Sequence, residues 1–179
     1  MKDSIRILFV EDVQADAEMI WNEIKKSGIV FEKKLVDNRI DYFEALKSFE
    51  PELIISDYAL PQFDGMSALL LKIETAPDIP FILVTGSINE EIAVELMKAG
   101  ADDYVIKQNL SRLGPAILST LKKREALREK ERALKEKIDE LERINDLSVG
   151  RELKMIDLKK EVNQLLLRLG EEEKYKIVE

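Results

Sequence analysis

The feature that most constrains this sequence is a regular alternation of short apolar runs with amphipathic stretches of helical period. Such alternation is typical of chains that build a parallel sheet through β-α-β crossovers. Two runs, 53–55 and 81–84, are continuously apolar, as expected for central strands covered by helices on both faces. We therefore predict an α/β fold with a doubly wound, five-stranded parallel sheet. The predicted strands are 5–10, 34–36, 53–57, 81–85 and 103–106, and the predicted helices between them are 15–26, 41–49, 66–74 and 88–99.

The chain contains no cysteine and no histidine. This excludes thiol chemistry, disulfides, zinc sites built from Cys or His, and serine-histidine triads. Any bound metal would need oxygen ligands. The acidic residues Glu11 and Asp12 follow directly on the first short apolar run, so the N-terminal residues resemble neither a signal peptide nor a membrane span. We expect a soluble, cytoplasmic protein without a membrane partner.

Polar side chains follow four of the predicted strands at the point where each strand ends. Glu11 and Asp12 follow the first strand, Asp57 and Thr85 end the third and fourth, and Lys107 follows the fifth. Because the carboxyl ends of parallel strands share one edge of the sheet, these residues are expected to meet there. Three adjacent carboxylates need a compensating cation, and Mg2+ suits all-oxygen ligation. Asp57 is then placed to attack a phosphoryl group whose oxygens Lys107 and Thr85 would stabilise.

Four segments of the sequence resemble the motifs of response regulator receiver domains. They are Phe-Val-Glu-Asp at 9–12, Asp-Tyr-Ala-Leu-Pro-Gln-Phe-Asp-Gly at 57–65, Thr-Gly at 85–86 and Lys-Ala-Gly-Ala-Asp-Asp-Tyr-Val-Ile-Lys at 98–107. The resemblance implies a receiver domain over residues 1–120 with the flavodoxin-like strand order 2-1-3-4-5. One departure is Gln108, where family members usually carry a cis proline. The sequence from Lys107 to Leu113 resembles receivers attached to sensory histidine kinases.

The resemblance also implies a role for each motif residue. The implied metal ligands are Glu11, Asp12, Asp57 and the carbonyl of Ala59. The implied catalytic group is Asp57 as the phosphoacceptor, with Thr85 and Lys107. The implied switch residues are Thr85 and Tyr104. Since the chain has no histidine, it cannot supply the phosphodonor, and the expected donor is a histidine kinase or a phosphotransfer protein. Whether the chain is a stand-alone regulator or part of a hybrid kinase stays open.

Residues 121–179 are predicted to form a helical coiled-coil extension, because leucine and isoleucine recur there in a charged sequence. A weak first seam, interrupted by Arg124 and Glu131, comprises Leu113, Ile117, Leu127, Leu134, Ile138 and Leu141. A cleaner second seam comprises Met155, Leu158, Val162, Leu165 and Leu169. The two seams are out of register, which predicts a stutter, a kink or a turn near 145–150. Because such seams need a partner helix, we expect a homodimer, and parallel pairing is favoured over an antiparallel hairpin.

Three other possibilities were weighed against these predictions. A haloacid-dehalogenase-like phosphatase needs a second acid two residues after its nucleophile, where this chain has Ala59. A phosphorylation-independent coiled-coil scaffold with a degenerate receiver is disfavoured by the intact set of strand-end residues. Nucleic acid is not an expected partner, because residues 1–110 carry 21 acidic and 11 basic side chains. Gly65 and Gly86 are expected to serve backbone geometry, through a positive φ or a close approach.

Overall fold

The structure is a computed structural model that describes residues 4–86, 90–170 and 172–176. Five strands alternate with helices, and the order of elements follows the predicted alternation. The strands are β1 (Ile5–Val10), β2 (Phe31–Val36), β3 (Leu53–Asp57), β4 (Phe81–Thr85) and β5 (Asp103–Ile106). The helices are α1 (Gln14–Lys26), α2 (Arg39–Ser48), α3 (Gly65–Thr75), α4 (Glu90–Ala99) and α5 (Leu113–Arg168), with a 3-10 helix at Lys107–Arg112. The predicted start of the fourth helix, Ile88, lies outside the described residues.

All strand pairs are parallel, and the order across the sheet is β2-β1-β3-β4-β5. This confirms the predicted doubly wound sheet and its strand order. β2 begins at Phe31, three residues before the predicted start. It is an edge strand that pairs only with β1, so Glu32 and Lys33 remain exposed and interrupt the apolar pattern that sequence analysis relied on.

Two apolar cores lie on the two faces of the sheet. One is formed with α2, α3 and α4, and the other with α1 and the first turns of α5. Every residue of β3 and β4 is buried, which confirms that these are the central strands. The single tryptophan, Trp21 on α1, lies in the second core with its ring edge-on to Phe9 at a centroid distance of 5.9 Å. Trp21 therefore reports directly on the folded state of the α/β domain.

The contact pattern divides the chain into two compact units, Met1–Leu127 and Arg128–Glu179. In the first unit, Leu113 and Ile117 of α5 are fully buried in the core beside α1. Their assignment to an intermolecular seam was wrong, because the same heptad spacing also describes a helix that packs on its own sheet. Arg124, which interrupts the predicted seam, instead forms an ion pair with Asp102 just before β5.

α5 is one continuous helix of 56 residues, so a turn near 145–150 does not occur. Charged residues of high helix propensity fill this stretch, and Gly150 alone is not enough to end a helix. A stutter or a kink within the helix stays a prediction. None of the helices in the described ranges has a stretch long and apolar enough to cross a membrane.

The second unit ends in a returning segment. Gly170 adopts a positive φ of 77°, which ends the helix. The side chain of Asn163 then holds the returning backbone: its Oδ1 accepts hydrogen bonds from the N–H groups of Lys174 and Tyr175 at 3.1 and 3.0 Å, and its Nδ2 donates to the Tyr175 carbonyl at 2.8 Å. Asn163 is therefore buried although it is polar.

Candidate functional site

The strand register explains why the predicted residues meet. Val10 of β1 lies beside Ser56 of β3, so Glu11 comes level with Asp57. On the other side, Thr85 of β4 lies beside Ile106 of β5, so Lys107 projects just beyond the same edge. Parallel pairing thus brings Glu11, Asp57 and Lys107, which are separated by 46 and 50 positions in the sequence, to a single edge of the sheet.

Lys107 lies at the centre of the hydrogen-bond network at this edge. Its Nζ donates hydrogen bonds to Glu11 Oε2 and Asp57 Oδ2, each at 2.9 Å, and to Asp16 Oδ2. The side chain of Lys107 is 13% exposed, and those of Glu11 and Asp57 are 2% and 10% exposed, so solvent screens these ion pairs only weakly. The three N–H donors of the ammonium are matched by three carboxylates.

The backbone after β3 holds the Asp57 carboxylate in place. Its Oδ1 accepts a hydrogen bond from the Tyr58 N–H at 2.6 Å and a longer one from the Ala59 N–H at 3.4 Å. The Gly65 N–H, at the start of α3, donates to the Tyr58 carbonyl at 3.0 Å. One Asp57 oxygen is therefore fixed by backbone donors, and the other faces Lys107.

Gly65 permits a close approach between α3 and the loop that follows Asp57. A Cβ at this position would lie 2.6 Å from the Asp57 carbonyl oxygen and 2.9 Å from both Tyr58 Cα and Leu83 Cδ1. The prediction that Gly65 serves backbone geometry is confirmed. The same prediction for Gly86 is wrong, because Gly86 has no positive φ and a Cβ there would meet no atom of the described residues within 4 Å.

The electrostatics of the edge follow from burial and charge. Burial raises the pKa of the Glu11 carboxyl above its ordinary value, and the hydrogen bonds from Lys107 and the Val13 N–H oppose that rise only in part. Burial alone would lower the pKa of Lys107, but its hydrogen bonds to Asp16, Asp57 and Glu11 outweigh that effect and raise the pKa above its ordinary value. Lys107 therefore stays positively charged at neutral pH and partly compensates the acidic edge.

The other side chains predicted for the site are those of Asp12, Thr85 and Tyr104. Thr85 is buried at the end of β4. Asp12 is exposed and lines an open groove with residues that include Arg39 and Gln62. Tyr104 is partly buried on β5, with the Arg112 guanidinium 5.6 Å from its ring centroid.

Sequence analysis missed two contacts at this edge. Asp16, in the first turn of α1, is the third acceptor of Lys107. Its position five residues after Glu11, on a helix that starts beside the site, was the available signal. Gln108, which stands where the family usually has a proline, donates from Nε2 to the Gly86 carbonyl at 2.6 Å and so links the loops after β4 and β5.

The carboxylates of Glu11 and Asp57 lie close together, because both accept a hydrogen bond from the Lys107 ammonium. Their oxygens are the type of ligand that a hard divalent cation prefers. Within the described ranges, no group of three or more acidic side chains is already arranged around a common metal position. The ammonium of Lys107 provides the positive charge between the two buried carboxylates here. The edge therefore has the chemistry for a metal but not an assembled ligand sphere.

Comparison with known proteins identifies the family. The profile of the response regulator receiver domain matches residues 7–118 of this chain. The chain belongs to this family. Receiver domains are generally phosphoacceptors rather than classical enzymes, and they accept phosphate from histidine kinases or phosphotransfer proteins. The family typically binds Mg2+.

The individual relatives are distant in sequence. Response regulator MprA of Mycobacterium ulcerans is 30% identical over 106 residues, which is 58% of this chain. A CheY-like receiver domain protein of Methanospirillum hungatei is 26% identical, with a TM-score of 0.59 over 68% of this chain and 97% of that one. Response regulator Rcp1, solved in its Mn2+-bound form, is 26% identical, with a TM-score of 0.54 over 64% of this chain and 92% of that one. The chain spans 44% of MprA and 15% of regulatory protein LuxO from Vibrio cholerae.

Proposed function

We propose that this receiver domain accepts a phosphoryl group on Asp57, in a Mg2+-dependent transfer from a phosphohistidine of a partner protein. The observation that carries the proposal is the buried ammonium of Lys107 between Glu11 and Asp57, at 2.9 Å from each. A lysine in this position orients one Asp57 oxygen and offers a positive charge where the transferred group would lie. The chain has no histidine, so the phosphodonor belongs to a histidine kinase or phosphotransfer protein.

The proposed metal ligands are Glu11, Asp12, Asp57 and the carbonyl of Ala59. When bound there, Mg2+ would neutralise the acidic edge and the phosphoryl oxygens. Asp57 is the proposed nucleophile. Its carboxylate is fixed by two backbone N–H groups on one side and by the Lys107 ammonium on the other, and its side chain is 10% exposed, whereas that of Glu11 is only 2% exposed. The protein assists its own phosphorylation and is not a kinase.

The proposed switch residues are Thr85 and Tyr104. Thr85 is buried at the end of β4, one residue after the strand partner of Asp57, which supports a role for its hydroxyl beside a phosphoryl group on Asp57. Tyr104 lies two residues before the partner of Thr85 on β5 and is only partly buried, which leaves its ring room to change position.

A phosphoryl analogue tests this function. Beryllofluoride with Mg2+ should change the emission of Trp21 in the full-length protein, because α1 carries both Trp21 and Asp16, a partner of Lys107. Asp57→Asn should abolish the change. Asp37→Asn, an exposed aspartate in the loop after β2, should respond like the wild type. No response in the wild type, or an equal response in Asp57→Asn, would refute phosphoacceptor function.

We further propose that the extension signals as a homodimer through its second seam. The seam residues Met155, Leu158, Val162, Leu165 and Leu169 are 36–76% exposed within one chain. The returning segment is held at Asn163, which lies on a neighbouring face of the helix and leaves this seam open. An apolar stripe at coiled-coil spacing is expected to pair with a second copy.

Light scattering on full-length variants tests the dimer. Leu158→Glu together with Leu165→Glu should halve the mass, because charges at two seam positions oppose helix pairing. Leu167→Glu is the matched control, since Leu167 is 56% exposed but lies outside the seam. A monomeric wild type, or dissociation of the control variant to the same extent, would count against pairing through this seam.

A further inference from the structure

The side chain of Asp16 has no role in the proposed metal and phosphoryl chemistry, yet it contacts the central lysine. It lies in the first turn of α1, is 29% exposed, and accepts a hydrogen bond from Lys107 Nζ. The other two acceptors of the ammonium are Glu11 and Asp57. Asp16 therefore differs from Glu11 and Asp57, because it pairs with Lys107 but is neither a proposed metal ligand nor the proposed nucleophile.

This difference matters because the acceptors compete. If the proposed function holds, Glu11 and Asp57 must turn their oxygens toward a divalent cation, and Asp57 must also carry the phosphoryl group. Lys107 would then lose two of its three carboxylate partners, and the bound cation would repel its ammonium. Until a phosphoryl group arrives, an ammonium without Asp16 would have no carboxylate partner at the edge and would turn toward solvent.

We propose that Asp16 is a positioning residue that retains Lys107 at the sheet edge when Glu11 and Asp57 engage the metal and the phosphoryl group. Lys107 then keeps one N–H donor on Asp16 while the donor that faced the Asp57 carboxylate turns to a phosphoryl oxygen. Asp16 is suited to this because its place on α1 is fixed by the burial of its neighbour Ala17 and by the hydrogen bond from its own N–H to the Val13 carbonyl. The inference rests on the proposed function and adds a residue to it.

A simpler reading of Asp16 is that it only complements the positive N-terminal end of α1, as acidic residues in a first turn do. That reading predicts an effect on helix stability but none on the binding of a phosphoryl analogue. It also predicts that Asp16 and other acidic residues near the start of α1 behave alike. Glu18, two residues later, is exposed, hydrogen-bonds Gln14 and does not contact Lys107, so it provides the matched comparison.

The experiment measures beryllofluoride affinity at saturating Mg2+ on full-length protein, and separately the affinity for Mg2+ alone. Asp16→Asn keeps the shape of the side chain and removes its charge. We expect about ten-fold weaker beryllofluoride binding, as for loss of one charge-assisted hydrogen bond. Glu18→Gln should bind like the wild type. Asp16→Glu, which restores the anion, should recover most of the affinity.

The outcomes separate this inference from the proposed function. If the wild type does not bind beryllofluoride, the proposed function fails. If the wild type binds it and Asp16→Asn binds it equally well, only the role of Asp16 fails. A loss in Mg2+ affinity without a loss in beryllofluoride affinity would make Asp16 merely a nearby anion and overturn the inference. An equal loss in Glu18→Gln would do the same, because it would assign the effect to the general charge of α1.

Discussion

Substitution of Gly65 by alanine tests how tightly α3 is joined to the loop that carries Asp57. The added Cβ would lie 2.6 Å from the Asp57 carbonyl oxygen and 2.9 Å from Tyr58 Cα and Leu83 Cδ1. Ordinary contacts begin at 3.4 Å, and two of these three atoms belong to the backbone and cannot rotate away. The start of α3 must therefore move from β3 by roughly half an ångström or more.

The cost of that movement can be estimated. Overpacking of this kind destabilises proteins by about 1–3 kcal/mol. The smaller conformational freedom of alanine in the unfolded chain offsets about 0.4–1 kcal/mol of this destabilisation. We expect Gly65→Ala to lower the free energy of unfolding of the receiver domain by about 1–2 kcal/mol and to weaken beryllofluoride binding, since the displaced loop carries Asp57 and its two backbone donors.

Urea unfolding followed by Trp21 fluorescence measures this effect, because Trp21 is the single tryptophan and lies in the receiver core. Gly86→Ala is the matched control at the same sheet edge. It should change the free energy of unfolding by less than about 0.5 kcal/mol, since its Cβ would meet no atom within 4 Å in the part of the chain that the structure describes. The reasoning is refuted if Gly65→Ala is as stable as the wild type, or if Gly86→Ala loses as much.

Two further predictions concern the side of the sheet where the strands begin, opposite to Asp57. There Asp102 accepts both guanidinium hydrogen bonds of Arg124, at 3.0 and 3.1 Å. Arg124→Met should lower the free energy of unfolding by about 1–2 kcal/mol in the same urea assay, because it removes a partly buried bidentate ion pair. Lys123→Met, at the neighbouring exposed position, should leave the free energy of unfolding almost unchanged. Equal losses in the two variants would contradict the role of the ion pair. Lys72 is buried on α3, and burial together with the nearby Arg124 lowers the pKa of its ammonium. The folded state therefore binds the Lys72 proton less tightly than the unfolded state, so the cost of burying the charge is greatest at neutral pH and falls as pH rises through the folded pKa toward the unfolded value. In urea unfolding at several pH values, the free energy of unfolding of Lys72→Met should fall relative to that of the wild type as pH increases. A pH-independent difference between the two would contradict the lowered pKa of Lys72.

Much of the fold was predictable because its signals are local. The apolar runs of β3 and β4 and the helical period between strands are properties of neighbouring residues, and a parallel doubly wound sheet is the arrangement that buries all of them. β2 was cut short in the prediction because an edge strand buries only part of its surface, and Glu32 and Lys33 hide its period.

The candidate site was predictable for a different reason. Glu11, Asp57, Thr85 and Lys107 each stand at a strand end, and the topology of a parallel sheet brings strand ends together whatever the details of packing. Asp16 escaped notice because it stands on a helix, where a single acidic residue carries no signal until the helix is placed against the sheet.

The division of α5 shows what periodicity cannot decide. Leu113 and Ile117 belong to the same heptad pattern as Leu134 and Leu141, yet the first two are fully buried in the receiver core and the last two are 62% and 55% exposed. A heptad pattern states that one face of a helix is apolar, but not which surface covers it.

By itself, the sequence determined the alternation of strands and helices, the identity of the strand-end residues and the all-oxygen character of any metal site. These follow from local patterns, from residue chemistry and from the absence of cysteine and histidine. Only the tertiary structure decided that Lys107 shares its three donors among Glu11, Asp16 and Asp57, and that Gly65 allows a close approach and does not adopt a positive φ. Such contacts depend on distances of a few tenths of an ångström between segments far apart in the chain, and those distances are set when helices pack on the sheet.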